Sequence, residues 1–369
     1  MKISLIGPVY PYRGGIAHYT TSLAVALKNA GHDVNMLSFK RQYPAFLYPG
    51  ETDKDPSANP TRVEAQYLLD PIYPWTWRQT ARAILKDGSD LVLIQWWTTF
   101  WGLAYAALAF YLQKKVKVVY LIHNVLPHES HIWDRWLSRF AMGQASAFIV
   151  QTTSEGKKLL DLIPDARISY CGHPVYQRFT KRVISKEDAR RELGLPMDKT
   201  LVLFFGIVRP YKGVKHLVDA ISQASASIHL VIAGEFWEDV KMYKEQIEEL
   251  GVSSRVTIFN KYLPNEEAHL FFSAADMMAA PYVGGTQSGA VELAVGYALP
   301  IIVTDAISAG ISDVDDLPLK IVPAGSVNAL AAAMDEFAVN LPQILPEQKA
   351  QNAWAQMVAT VENVILKSV

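Results

Sequence analysis

The 369-residue chain sets 35 Lys and Arg against 36 Asp and Glu, for a formal net charge of −1, and 50% of its residues are hydrophobic. A near-neutral chain without a basic block lacks the concentrated cations that nucleic acid needs in a main partner, and its apolar share is enough for two cores rather than a disordered chain. A lone cysteine, Cys171, excludes an internal disulfide and fits a reducing compartment.

The N-terminus runs directly into a strand, MKISLIG, without the apolar core and cleavage site of a signal peptide, so a cytoplasmic location is expected. The first half alternates short apolar runs with helical patterns, which predicts a parallel sheet covered on both faces. Its strand candidates are Ile3 to Ile6, Val34 to Ser38, Leu91 to Gln95, Val116 to Ile122 and Ala147 to Gln151. Between the first two, Pro11 to Gly15 turns into a helix from about Ala17 to Asn29, stopped by Gly31. Residues Phe39 to Arg62, with four prolines, read as a long irregular loop of the kind that is functional or mobile, and it is assigned to the acceptor side of a site.

The uncharged stretch from Leu91 to Gln113 is nominally long enough to span a membrane. It is read instead as a strand, a polar break at Thr98 and Thr99, and a buried helix ending at Lys114 and Lys115. The competing reading sets Trp96, Trp97 and Trp101 at a bilayer surface. His123 closes its strand at a carboxyl end, where α/β sheets bind ligands. The segment HNVLPHESH that it opens also offers a second reading, a metal site using His128, Glu129 and His131, against which Pro127 interrupts the helical spacing.

A first domain over 1–177 is expected to end near Tyr170 to Pro174, with Arg178 to Ile184 as linker and Ser185 to Asp188 as a capping-box helix start. A second domain over 178–345 repeats the alternation with strands at Leu201 to Phe205, His229 to Ala233, Val256 to Phe259, Met277 to Ala280 and Ile301 to Thr304. Helices at Gly213 to Ser222 and Val240 to Leu250 need no explanation beyond core packing. The terminal segment 346–369 reads as a helix with Trp354 and an apolar stripe through Met357, Val361 and Ile365.

Two stretches of the second half carry chemistry. In LVLFFGIVRPYKG an apolar run ends at Gly206, and Arg209 and Lys212 follow on a strand-to-helix turn. Arg forks two phosphate oxygens and Lys acts as a point charge, each worth on the order of 1 kcal/mol at 4 Å in water and about 4 at a protein surface. In PYVGGTQSGAVELAVGYALPIIVTD, the loop from Val283 to Gly289, holding Thr286, Gln287 and Ser288, runs into a helix from Ala290 to Tyr297. The orphan N–H groups and dipole of that helix start favour a phosphate ahead of Gly289. Glu292 in the same first turn either complements the dipole or, with the helix start already holding a diphosphate, turns aside to accept from ribose hydroxyls. The sequence Gly285 to Gly289 is not the elbow of a serine hydrolase.

The pattern G-x-x-R-P-x-K-G, followed some eighty residues on by a glycine loop, a helix-borne Glu and G-x-x-x-P-I-I-V-T-D, resembles the family 4 retaining nucleotide-sugar glycosyltransferases. Lys2 to Leu37, Val119 to His128 and Ile232 to Glu235 are similar to that family too, in order over nearly the whole chain. The resemblance implies an α/β GT-B fold, two Rossmann-like doubly wound domains facing a central cleft, with the terminal helix packing back on the first. It implies transfer of a sugar from a nucleoside diphosphate sugar to a glycan or lipid-linked acceptor in surface polysaccharide or glycoconjugate biosynthesis, with peripheral contact at the inner face of the membrane and no metal.

On the same basis Gly14 and Gly15 lie near the phosphates and acceptor, His123 contacts the donor sugar, and Gly234 and Glu235 lie close to the nucleotide base, with Tyr262 a weaker candidate. Arg209 and Lys212 with the amides around Ser288 and Gly289 would hold the departing diphosphate, and Glu292 the ribose. One departure stands out. Where the family often carries Glu-x7-Glu, the first position here is Gly284, and Thr286 to Gly289 resembles a branch lacking that carboxylate. A donor-binding but silent partner and a sugar-nucleotide epimerase remain as alternatives.

Overall fold

A computed structural model describes residues 1–44, 48–127, 131–176, 184–311, 318–341 and 353–366. The chain divides into two units, one of Met1–Pro56, Pro60–Gly172 and Gln351–Val369, the other of Ser57–Asn59 and His173–Ala350.

The first unit is a seven-stranded sheet of β1 (Lys2–Ile6), β2 (Asp33–Phe39), β3 (Gln66–Leu69), β4 (Leu91–Trp96), β5 (Lys117–Ile122), β6 (Ala147–Val150) and β7 (Ile168–Tyr170). Its order is β3-β2-β1-β4-β5-β6-β7 and every pair is parallel. The five predicted strands are present within two residues at either end. Strands β3 and β7 were not predicted: they are short, half-exposed sheet edges, so neither shows the continuous apolar run of a central parallel strand. Helix α1 (Gly15–Asn29) crosses from β1 to β2 and begins two residues earlier than its pattern suggests, because Gly14 at φ +100° is its N-cap.

Helices α2 (Pro74–Asp87), α3 (Gly102–Leu112) and α4 (Ile132–Met142) connect β3 to β4, β4 to β5 and β5 to β6, and pack side by side. Period-two alternation turns Val92, Ile94 and Trp96 of β4 into the core beneath them, while Gln95 faces the opposite side. The reading that set Trp96, Trp97 and Trp101 at a bilayer surface is corrected: Trp96 and Trp101 have no exposure, and Trp101 lies tilted against Phe39 at 4.2 Å and stacks on Tyr105 at 5.7 Å. Thr98 breaks the long apolar stretch as an N-cap, its Oγ1 accepting from Phe100 N–H, and the helix that follows is only 11 residues long. Among the described residues no helix is long and apolar enough to cross a membrane.

His131 is not arranged as a metal ligand. It caps α4 in a reciprocal box with Asp134, whose carboxylate accepts from His131 N–H at 2.7 Å. His128 and Glu129 lie outside the described residues, as do most of the expected linker and the first part of the terminal segment. Its described part, α13 (Ala353–Leu366), belongs to the first unit and packs on α1, with Trp354 against Tyr19 and Glu362 paired to His32 at 3.0 Å. Met357 and Val361 are fully buried; the Ile365 side chain lies outside the described set.

In the second unit α6 (Lys186–Leu193) starts at Ser185, which accepts from Asp188 N–H at 3.0 Å. A six-stranded parallel sheet follows in the order β10-β9-β8-β11-β12-β13. Its strands are β8 (Thr200–Phe205), β9 (Ile228–Ala233), β10 (Val256–Phe259), β11 (Met277–Ala280), β12 (Ile301–Thr304) and β13 (Leu319–Val322), the last an edge strand absent from the prediction. Buried Asp276 ties this sheet to α6: it accepts from Arg190 at 2.6 Å and from Leu201 N–H at 2.7 Å. The strand order reverses between β1 and β4 in one sheet and between β8 and β11 in the other, and loops at the carboxyl ends beside such a reversal are where open α/β sheets hold ligands.

Burial pushes His173 of the second unit down to about 4 against its hydrogen bond with the Pro174 carbonyl, and lowers His229 as well. A histidine with a lowered folded pKa takes up its proton first in the unfolded chain, so stability is full above about pH 6.5 and is lost as pH falls toward 4, by about 3 kcal/mol for His173. His173→Gln should therefore flatten the acid side of the melting-temperature profile; an unchanged profile would contradict this account of His173.

Candidate donor site

In the second unit, the turn after β8 and the loop after β11 meet because glycine removes the side chains that would separate them. Gly213, at φ +67°, lies so close to the chain that a Cβ there would overlap the Pro281 carbonyl oxygen. Tyr211 C=O accepts from Val283 N–H at 2.8 Å and Gly284 N–H at 3.3 Å, stitching the two stretches together. Likewise a Cβ on Gly234 would overlap the Gly206 carbonyl, which brings the ends of β9 and β8 together. Gly206 itself has φ +114°, and a Cβ there would lie 3.3 Å from Lys212 Nζ.

This stitched turn carries both cations. Lys212 Nζ lies 5.5 Å from the centre of the Tyr282 ring, and Tyr282 OH shares a 2.9 Å hydrogen bond with Ser288 Oγ. Ser288 is the N-cap of α10 (Gly289–Gly296), its Oγ accepting from Val291 N–H. One aromatic ring, that of Tyr282, thus lies between Lys212 and the residue that caps α10. Desolvation lowers its pKa, Tyr211 opposes that shift, and the charge of Arg209 adds to it, so the two cations lie within electrostatic reach of each other. The Arg209 guanidinium sits 5.4 Å over Trp237, whose Nε1 donates to Glu235 Oε2 at 3.2 Å. Two like charges held at one sheet edge form a seat for a multiply charged anion.

Glu292, in the first turn of α10, is 1% exposed, and its charge adds to burial in raising the pKa of Tyr176. Thr286 is buried, with its Oγ1 lacking a hydrogen-bond partner among the described residues, while Gln287 is half-buried beside it. An orphan buried hydroxyl costs stability unless something satisfies it. Gly234 and Glu235 follow β9, and half-buried Tyr262 follows β10 at the same end of the sheet. The structure therefore brings Gly206, Arg209, Lys212, Gly234, Glu235 and the Thr286 to Glu292 stretch to one edge of one unit.

The remaining predicted residues belong to the first unit. Gly14 and Gly15 open α1, and a Cβ at either would meet nothing, so Gly14 is required for its φ rather than for space. His123, 2% exposed, donates from Nε2 to Gln95 Oε1 at 2.6 Å and meets the Tyr19 ring edge-on at 4.7 Å. Gly7 leaves room for Gln95, since a Cβ there would come within 2.7 Å of its Cγ. Sequence reasoning missed Gln95, Trp237 and Tyr282. Gln95 is a polar residue inside an apolar strand run and Trp237 lies two residues past Glu235, so both left a signal. Among the described residues no cluster of His, Cys, Asp and Glu has the makings of a metal site.

Residues 13–175 match the family model "Glycosyltransferase Family 4", and residues 199–340 match "Glycosyl transferases group 1". The chain thus carries two glycosyltransferase domains, the first of family 4 type, and its two parallel-sheet domains have the GT-B fold. It is 27% identical over 234 residues to the D-inositol 3-phosphate glycosyltransferase of Mycolicibacterium smegmatis, covering 58% of this chain and 51% of that protein; the chain thus spans about half the length of this curated relative. Two solved structures share the fold along the whole chain. HepE from Anabaena in complex with UDP-glucose has a TM-score of 0.70 at 17% identity, covering 100% of this chain and 99% of that one. The catalytic domain of Starch Synthase IV from Arabidopsis thaliana, bound to ADP and acarbose, has a TM-score of 0.72 at 14% identity with the same coverage.

Gly213→Ala forces both a strained backbone and an overlap with Pro281, so it should weaken pyrophosphate binding by tenfold or more, about 1.4 kcal/mol, without touching a cation. Titration by calorimetry checks this. Parent-like affinity would show that the stitched turn is not what holds the seat.

Proposed function

We propose that the protein is a retaining glycosyltransferase that moves a sugar from a nucleoside diphosphate sugar to a glycan or lipid-linked acceptor. The observation that carries this reading is the convergence of Arg209, Lys212 and the Ser288-capped start of α10 at the switch point of the second sheet. Support comes from HepE and Starch Synthase IV, whose structures hold UDP-glucose and ADP on the same fold.

In this mechanism the bond from the anomeric carbon to the donor phosphate breaks, and negative charge builds on the departing diphosphate. Arg209, Lys212 and the amides of the Ser288–Gly289 turn stabilise that charge through donors already fixed in place. The anomeric carbon bonds to the acceptor oxygen on the face the phosphate leaves, and the acceptor proton passes to a phosphate oxygen. No protein base is needed, and no metal is assigned a part. Glu292 accepts from the ribose hydroxyls, Gly234, Glu235 and Tyr262 border the base, and Thr286 Oγ1 finds its missing partner in the donor. In the first unit, His123 holds the sugar, while Gly14 and Gly15 lie near the phosphates and acceptor. The reaction is assigned to the cytoplasm, in surface polysaccharide or glycoconjugate synthesis.

Gly284 stands where the family resemblance implies a sugar-contacting carboxylate, which favours a donor-binding partner without turnover as the second reading. Incubation with UDP-, GDP-, ADP- and dTDP-sugars and an acceptor panel separates the two: transfer with retained anomeric configuration supports the enzyme, binding without turnover the silent partner. Conversion of donor without any acceptor would point to an epimerase instead.

Arg209→Ala and Lys212→Ala should each weaken nucleoside diphosphate binding at least tenfold, roughly 1.4 kcal/mol. Unchanged affinity in calorimetry removes that residue from the seat. Glu292→Gln should reduce nucleoside diphosphate affinity more than inorganic pyrophosphate affinity; equal losses contradict a ribose contact.

A further inference from the structure

The outward faces of α2, α3 and α4 combine large apolar side chains with unpaired cations. Ile132 is 93% exposed, Trp133 65%, Trp136 63% and Phe140 51% along α4, with Trp136 and Phe140 stacked at 5.5 Å. Phe110 on α3 and Trp75 on α2 are 62% and 66% exposed. On α4, positions 132, 133, 136 and 140 fall on one stripe, and Arg135 and Arg139 border it. Arg78, Arg82 and Lys86 are exposed on α2, and Lys114 and Lys115 follow α3. None of these seven cations has a carboxylate partner among the described residues; Arg135 donates only to the Asp161 carbonyl.

The same three helices present no exposed carboxylate. Asp134 is buried in its capping box, and half-buried Asp87, at the end of α2, pairs with Lys2. In a chain of net charge −1, this one face therefore concentrates positive charge. Helices lying side by side on one sheet face make a broad surface rather than a groove.

We propose that the α2–α3–α4 face docks the protein on an anionic lipid bilayer, Trp133, Trp136, Phe140 and Ile132 entering the headgroup boundary while the arginines and lysines meet lipid phosphates. A soluble polyanion satisfies the cations but leaves the apolar stripe in water, whereas a bilayer surface takes both. The stripe replaces Trp96 and Trp101 as the aromatic belt, since those two are core residues. This deepens the lipid-linked part of the proposed function, yet vesicle binding is measured with no sugar donor present, so either can fail alone.

The test is co-sedimentation of the full chain with phosphatidylcholine vesicles made with and without phosphatidylglycerol. The parent should bind the anionic vesicles, weakly bind the neutral ones, and lose binding as salt rises. Trp136→Ser with Phe140→Ser, and separately Arg78→Gln with Arg82→Gln, should each lower partitioning about tenfold. All four residues are exposed, and a parent-like circular dichroism spectrum and melting temperature show that each variant is folded. A parent that ignores anionic vesicles overturns the proposal, as does equal partitioning of parent and either variant. So does a parent dimer that only the Trp136 and Phe140 variant dissolves, because a second copy then covers the face.

Discussion

The donor seat depends on two places where backbone touches backbone. Pro281 C=O occupies the space a side chain on Gly213 would need, and Gly206 C=O does the same at Gly234. Each contact joins loops from neighbouring strands, and the turn between them carries Arg209 and Lys212. Lys212 arrives over Tyr282 already partly desolvated and beside Arg209, so its charge is destabilised in the absence of an anion. A diphosphate relieves that repulsion, which ties the seat's electrostatics to the ligand proposed for it.

The first unit shows the same economy with different chemistry. Here the histidine at the end of β5 is fixed by a strand glutamine and an aromatic edge: Gln95 accepts from its Nε2, and Tyr19 presses on its ring. Tyr19 is in turn backed by Trp354 from the last helix of the chain. That contact gives α13 a task beyond closing the core, since it steadies the side chain that steadies His123. The opposite face of the same sheet carries the aromatic core of Trp96, Trp101, Tyr105 and Tyr120, and above it the outward stripe of α4.

Much of this could be read in the sequence because central parallel strands are buried on both faces and appear as unbroken apolar runs. Nine of the ten predicted strands are central ones of that kind; the tenth, β10, is a half-buried edge strand that was still legible as the short run VTIF. Edge strands β3, β7 and β13 are half in water, and their pairing is a tertiary decision that local pattern does not record. The candidate site residues were picked out as motifs at strand ends, while the means by which those of the second unit meet were not legible. Nothing in R-P-Y-K-G says that its glycine abuts Pro281, and nothing around Tyr282 says that it bridges Lys212 to Ser288. Likewise, the apolar stretch from Leu91 to Gln113 was legible as a strand, a polar break and a buried helix, but its local pattern left a bilayer-surface reading open as the competing one, because burial of Trp96 and Trp101 depends on helices brought over them from elsewhere in the chain.

The central claim is that Arg209, Lys212 and the start of α10 hold one diphosphate between them. A crystal structure of the protein with UDP tests it most directly. The account predicts phosphate oxygens within hydrogen-bond distance of Lys212 Nζ, the Arg209 guanidinium and the Gly289 amide, with the ribose turned toward Glu292. A diphosphate bound away from this edge, or one contacting neither cation, would contradict it.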